Sequence, residues 1–531
     1  MSSLSTRNLA VFESIDFDLA IVGGGITGAG IARHAAKCGL KVALFEANDF
    51  SSGTSNRSSK LIHGGLRYLA MGDIALVRET ALERKHVHQM APHLAEPAWM
   101  VLPVKSRTSL LKFRAGIGTY ERLGAVAIED RHKNLNETEL AEFEPALDRD
   151  SFPWACAYRE YVTDDARLVL AVLRAAQSDG AMVANHLEVT GLELLDGRVA
   201  GLRAQCKFTN TAIRVNAKVV VNATGPWVEK SIERWENHEA KVRLHLSKGV
   251  HIVVPHELLP LNNIVVMGTS DKRSTFAVPR GDITYIGTTD TSYSGPPVVW
   301  PEILKEDVDY LLEAIPKYFP GVHLKRTDVV AAWAGLRPLV HEPGKASREL
   351  SRKDEIWISD HTGMISMAGG KLTGFRKMAE DAIEVIGNAL GCDLVCKDSL
   401  ATVPGGDIES VAQASVDLAK THKLSSKNAL RLTRLYGSEA SEVIALNNKP
   451  IADSSRIFCG EVDWAMSHES AMTLEDMMYR RLRTVWFEPA EVDLVLEPIA
   501  ERMASQLGWS KDEKDQQLEA VRKQIKDDGT Y

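Results

Sequence analysis

The stretch DLAIVGGGITGAGIARHAAKCGLKVALFE, residues 18–46, decides the fold. A short apolar run, Asp18 to Val22, leads into glycines. An alanine-rich segment follows and ends near Cys38-Gly39, and KVALFE closes the unit at Glu46. That order reads as strand, turn, helix, strand. Gly23, Gly25 and Gly28 fit the pattern G-x-G-x-x-G. The triplet alone is a weak signal, but here it follows a strand and opens a helix, as a dinucleotide-binding loop requires. The first glycine makes the tight turn and the second admits the pyrophosphate to the backbone. The third packs helix on strand, so that the helix N-terminus faces the phosphates. Glu46 closes the second strand, where a carboxylate accepts both ribose hydroxyls, and this argues against a 2′-phosphate.

The loop leaves NAD and FAD open. Two features further along favour FAD. SSGTSNRSSKLIHGG, residues 51–65, is a polar strap rich in donors, which an isoalloxazine ring needs around its nitrogens and carbonyls. A second strand-to-glycine turn, Asn222-Ala223-Thr224-Gly225-Pro226, offers another close backbone approach.

Composition sets bounds on the rest. The chain has 531 residues, 44% hydrophobic and 25% charged, with a net charge of −8. That balance argues against a nucleic-acid partner, which favours a basic surface. Six scattered cysteines, with no secretory leader, suggest a reduced cytoplasmic compartment. Cys392 and Cys396 lack the further ligands a zinc site needs, so no metal is expected. No apolar run is long enough to span a membrane.

Residues 1–16 read as a disordered or loosely docked lead, and 74–90 as a helix. Leu187 to Cys206 alternates like a hairpin turning at Asp196-Gly197, and Lys218 to Trp227 is a buried strand entering a turn. Residues 251–255, 274–280 and 283–290 suggest an antiparallel sheet. Residues 302–316 look helical, and 363–387 read as strand, Gly-Gly turn and helix. Past TVPGGD (402–407) the period is helical, with Thr473 and Asp476 spaced as a capping box. This organisation predicts an oxidoreductase unit over 17–400 and a helical domain over 401–531. Asp164-Asp165 reads as a helix N-cap rather than a catalytic pair. Leu110 to Gly124 mixes Lys112, Arg114 and Arg122 with apolar residues, a packed helix or a lipid-docking one.

Seven segments in one order resemble the FAD-dependent glycerol-3-phosphate dehydrogenases: IVGGGITGAGIARHAA, SSKLIHGGLRYL (58–69), DDARLVL (164–170), VNATGPWV (221–228), IGTTD (286–290), AGLRPLV (334–340) and GGKLTGFRKMAE (369–380). The resemblance covers about residues 17–385 and continues more weakly through EVDWAMSHESAMTLEDMMYRRLR, 461–483. It implies a mixed α/β fold, with a glutathione-reductase-type Rossmann FAD domain, an interleaved β-sheet substrate domain and a helical C-terminal domain. It also implies oxidation of sn-glycerol 3-phosphate to dihydroxyacetone phosphate by hydride transfer from C2 to flavin N5, with electrons passed to a membrane quinone. A peripheral position on the inner face of the cell membrane goes with that acceptor. The oligomeric state stays open, a homodimer being one arrangement. A related branch uses oxygen and makes peroxide. The short span from Arg337 to Lys371 lacks the insertion that branch carries.

Such a reaction needs a grip on a phosphate dianion and a base for the C2 hydroxyl. Arg337, Arg352, Lys371, Arg67 and Tyr68 match the family's substrate pocket, with Thr289 beside them. Arg337 offers a planar fork, and Lys371 follows two glycines at a strand-to-helix turn. His63 in the strap and His251 at the start of a strand are competing bases. His63, His251, Arg337 and Lys371 form the expected catalytic set. Cofactor contacts are expected from Gly23, Gly25, Thr27, Gly28 and Glu46. The strap adds Thr54, Ser58, Ser59, Lys60, Leu61, His63 and Gly64. Val189, Ala223, Thr224 and Gly225 follow, then Gly370, Lys371, Leu372 and Thr373.

Overall fold

The computed structural model describes residues 9–64, 74–341 and 354–529. The strand Asp16–Val22 lies at the heart of an eight-stranded sheet. It runs parallel to Ala212–Asn222 on one side, with Ile21 opposite Val221, and to Val42–Phe45 on the other, with Leu19 opposite Val42. Met182–Ala184 extends the parallel order beyond Val42–Phe45, and Ile365–Gly369 extends it beyond Ala212–Asn222. Strands buried on both faces need continuous apolar runs, which explains LAIV and VVV in the sequence. The hairpin Leu187–Leu195 and Arg198–Cys206 is appended to the far end of Ala212–Asn222.

The helix Ile26–Lys37 is buried around almost its whole circumference. Its small residues allow this. A Cβ on Gly30 would stand 3.1 Å from the Phe375 ring, so the helix Phe375–Leu390 packs directly on its backbone. Asp164 caps the neighbouring helix Asp165–Ser178 by accepting from Arg167 N, as the sequence predicts.

A second, ten-stranded sheet forms the other layer. The three strands foreseen there are neighbours in it: Leu244–Pro255 pairs antiparallel with Ile283–Gly287, which pairs with Ser274–Arg280. Ala331–Val340 flanks Leu244–Pro255, placing Arg337 opposite Ser247. The strands Ala95–Val104 and Trp154–Thr163, paired with each other in this sheet, were not foreseen. Pro97 and Pro103 disguise the first of them. It meets its other neighbour only at Met100 and Val101, between the two prolines, so neither ring interrupts that ladder.

After Val411 the described residues carry helices and no named strand. Thr473 and Asp476 form the expected reciprocal cap: Thr473 N donates to Asp476 Oδ2 and Asp476 N to Thr473 Oγ1. Met477, Trp486 and Ile499 share one core with Trp333 and Tyr285 of the second sheet. Residues 1–8 of the N-terminal lead lie outside the described residues, and the reading of residues 9–16 needs correcting. Ala10–Glu13 is helical, and Phe12 is buried with its ring 5.2 Å from that of Phe45. Burial of one aromatic side chain holds the segment in place. Among the described residues no helix is long and apolar enough to cross a membrane.

Candidate active site

A cleft of about 470 Å³ opens where the parallel strands end, between the two sheets. Ligands in open α/β folds bind outside the carboxyl ends of the strands, where the chain direction of the connections diverges. Gly23 N donates to Phe45 O, and Ala223 N to Val22 O, so the three strand ends are tied together. Gly23 has φ +115°, and a Cβ there would lie 2.4 Å from Ala223 O. Gly28 does not face the cleft. Its missing Cβ would fall 2.0 Å from Gly23 O, so it sets the approach of helix to turn. The first bond of the helical ladder is Ala29 N to Gly25 O. The N–H groups of Ile26, Thr27 and Gly28 therefore precede that ladder. Ile26 N donates to Ser55 Oγ at 3.0 Å.

Glu46 faces the same end of the cleft and accepts from Gly24 N at 2.7 Å and Asn48 N at 2.8 Å. Burial lifts its carboxyl above the ordinary glutamate range despite these donors. Val189, Ala223, Thr224 and Gly225 form the adjoining wall. Thr54, Ser58, Ser59 and Leu61 of the strap line the cleft opposite. Thr54 Oγ1 donates to Leu336 O at 2.6 Å and so joins the strap to the strand that carries Arg337. Thr373 Oγ1 accepts from His63 N and donates to His63 O, both at 3.2 Å, linking strap and Gly-Gly turn. Gly370, Lys371 and Leu372 continue that wall.

Arg337, Lys371 and His63 converge on this cleft. Arg337 Nη2 donates to Thr288 Oγ1 at 2.7 Å and Nη1 to Thr289 O at 3.3 Å, with Asp290 Oδ1 3.7 Å away. Its guanidinium lies over Gly249, where a Cβ would be 2.2 Å from Nη2. Thr289 itself is buried, and its hydroxyl accepts from Val250 N. It reaches the site only through Arg337.

Three further expected residues stand behind the wall rather than in it. His251 is 1% exposed, stacked on Trp333 at 4.8 Å, with Nε2 3.0 Å from Ser59 Oγ. Burial, then Arg337 and Lys60, hold its imidazole neutral, with a pKa well below the usual value. Lys60 points away from the cleft: its Nζ donates to Asn56 O and to Asp165 at 3.0 Å. Burial draws that ammonium down to about 7 against the attraction of Asp165. Gly64 backs onto Tyr120, whose hydroxyl would be 2.0 Å from a Cβ there. Arg67, Tyr68 and Arg352 lie outside the described residues.

Sequence reasoning passed over Asn48 and Trp227, which also line the cleft. Trp227 lies within the quoted VNATGPWV, and its ring approaches Gly53, 3.1 Å from where a Cβ would be. Asn48 carries no motif signal beyond its place after Glu46.

The glycine cradle leaves backbone, not side chains, facing the helix N-terminus, and Glu46 is hydrogen-bonded to it at Gly24 N. These features suit an adenosine diphosphate half, and the donor-rich strap suits a flavin ring. With Arg337, Lys371 and His63 lining the same cleft, they define a flavin-dependent oxidoreductase. The family model for FAD dependent oxidoreductases matches residues 18–376, and that for the C-terminal domain of alpha-glycerophosphate oxidase matches 396–514. The chain belongs to the FAD-dependent glycerol-3-phosphate dehydrogenase family. An aerobic glycerol-3-phosphate dehydrogenase of Staphylococcus haemolyticus is 36% identical over 97% of this chain and 96% of its own. One of Bacillus subtilis is 37% identical, over 98% and 97%. The glycerol-3-phosphate dehydrogenase of Bacillus halodurans, solved with FAD, superposes with a TM-score of 0.82. It is 34% identical and covers 100% of this chain and 99% of its own. The L-alpha-glycerophosphate oxidase of Mycoplasma pneumoniae, 16% identical with a TM-score of 0.53 over 72% of this chain and 97% of its own, shares the fold alone.

Proposed function

We propose that this chain oxidises sn-glycerol 3-phosphate to dihydroxyacetone phosphate and delivers the electrons to a membrane quinone. The observation that carries this reading is that Arg337, Lys371 and His63 all line the cleft into which the glycine loop and Glu46 also face. Bound FAD supplies the two-electron acceptor for the hydride. Arg337 and Lys371 hold the phosphate and orient C2, with Arg67, Tyr68 and Arg352 as further contributors. Arg337 offers a fork whose geometry Thr288 and Thr289 set. His63 receives the C2 hydroxyl proton. His251, neutral and behind the wall, orients Ser59 rather than touching substrate.

The oxidoreductase unit, residues 17–400, carries the chemistry, and residues 401–531 form the helical domain. The helix Arg107–Leu123 suits peripheral attachment to the inner face of the membrane. Leu111 is 60% exposed and Phe113 38%, with Lys112 and Arg114 beside them, a pattern that attracts anionic lipid.

Anaerobic mixing with glycerol 3-phosphate should bleach the yellow holoenzyme, and glycerol should not. Bleaching by an amino acid instead would overturn the substrate assignment. Reoxidation by a soluble quinone analogue without stoichiometric peroxide in air supports the quinone acceptor; rapid peroxide formation moves the chain to the oxidase branch.

A further inference from the structure

Arg480, Arg481 and Arg483 are cations that neither the substrate nor the cofactor reading uses. Each is at most 1% exposed. Guanidinium groups so far from water persist only when fully paired. Asp49 and Asn56 among their partners lie in the loops that border the cleft, Asp164 and Asp165 stand at the start of the helix Asp165–Ser178, and Glu469, Glu475, Asp476 and Tyr479 lie in the helical domain itself.

Asp49 closes the loop whose Glu46, Ala47 and Asn48 face the adenosine end. It is fully buried, and it accepts from Arg480 Nε at 2.5 Å and from Arg481 Nη1 and Nη2 at 2.6 and 2.8 Å. Asn185 Nδ2 adds a bond to Asp49 at 2.8 Å and another to Ser470 O at 2.9 Å. His186 N holds Asn48 O at 2.7 Å, while its Nε2 meets Asp476 Oδ2 at 2.9 Å. Arg483 turns to the strap and to the start of the helix Asp165–Ser178 behind it. It pairs with Asp164 at 2.9 Å and Asp165 Oδ1 at 3.0 Å, and also donates to Asn56 Oδ1. Asp165 Oδ2 in turn accepts from Ser58 N at 3.0 Å and Ser58 Oγ at 2.7 Å. The segment Asp476–Arg481 is wound as a π-helix, a rare turn that recurs at functional sites.

Asp49, His186 and Asp476 also offer three ligand atoms close enough to hold a metal ion. Arg480 and Arg481 already supply the positive charge those carboxylates need, so a further cation has nothing to compensate.

We propose that Arg480, Arg481 and Arg483 are positioning residues for the cofactor. The helical domain grips the ribose loop through Asp49 and the flavin strap through Asp165, so FAD binding and docking of that domain are thermodynamically coupled. The proposal rests on the FAD reading of the cleft. Coupling follows because both loops must hold their shape for FAD to bind, and the same contacts hold the helical segment in place. By reciprocity, each event favours the other.

The test titrates FAD into full-length apoprotein, reading flavin fluorescence quenching and, separately, the unfolding temperature. Arg481→Met should raise the FAD Kd at least tenfold. The control is Arg431→Met, because Arg431 pairs with Glu461 and Glu488 inside the helical domain. That variant should lose thermal stability but keep its FAD Kd within threefold. An unchanged Kd in Arg481→Met, or equal loosening in both variants, overturns the proposal. If a variant does not fold, hydrogen exchange on the wild-type chain decides. FAD should slow exchange of the amides from 476 to 487, and identical exchange with and without FAD refutes the coupling. A wild-type chain that takes up no FAD overturns the flavin reading itself, a failure distinct from FAD binding that ignores the clamp.

Discussion

Arg337→Ala should weaken substrate binding in two separable parts. The first is the lost grip on the phosphate, worth roughly 2–3 kcal/mol for hydrogen bonds to a charged group. The second comes from Asp290. Its Oδ1 lies 3.7 Å from Arg337 Nη1, and Ser247 Oγ donates to it as well. Without the guanidinium, this carboxylate is left to repel a phosphate dianion, adding on the order of 1 kcal/mol after solvent screening. Together the two predict a rise of roughly 140- to 700-fold in the dissociation constant of glycerol 3-phosphate. Arg337→Ala/Asp290→Asn should recover about fivefold of it, since about 1 kcal/mol is removed. Arg337→Lys keeps the charge but loses the fork, so it should fall between wild type and Arg337→Ala. The assay is anaerobic stopped-flow bleaching across substrate concentrations, normalised to bound FAD. Binding within threefold of wild type in Arg337→Ala would remove this residue from the phosphate site. A double variant no better than the single one would refute the Asp290 argument.

Two further outcomes follow from the cradle and from the buried charges. Gly23→Ala forces an L side chain to φ +115° with its Cβ 2.4 Å from Ala223 O, so the protein should purify largely colourless, checked by the ratio of flavin to protein absorbance. Acid should unfold the protein through Asp164 and Glu469. Burial pushes both carboxyls up, but Arg483 and Arg280 around Asp164, and Arg167 around Glu469, more than offset it and leave both below their ordinary values. The folded state thus binds fewer protons than the unfolded one. Their stabilisation is complete above about pH 5 and is lost as pH falls through and below the usual carboxylate range. Glu469→Gln should flatten the acid limb of a plot of unfolding temperature against pH; an unchanged limb refutes the assignment.

Much of the nucleotide half was legible because its constraints are local. A glycine that lets its helix approach the preceding turn, an acid at a strand end and an apolar run are written within a single unit of chain. The substrate strand was partly legible: 251–255, 274–280 and 283–290 alternate as strands do, while Ala95–Val104 hid behind two prolines. Lys60 and Gly64 were read as cofactor contacts because they lie among residues that face the cleft. Alternation along the strap turns the Lys60 side chain to Asp165 instead. The strap and the GGKLT turn were recognised as motifs, but nothing local shows that Thr373 clasps His63 from 310 residues away.

The residues by themselves determined a βαβ dinucleotide unit, an unphosphorylated ribose and a helical tail, because each follows from backbone geometry and periodicity over short spans. Tertiary structure alone decided that His63 faces the cleft while His251 is sealed behind Ser59, and that Arg480, Arg481 and Arg483 hold loops more than 300 positions earlier in the chain. Burial and pairing of charge depend on what the whole fold brings together, and no local pattern encodes that sum.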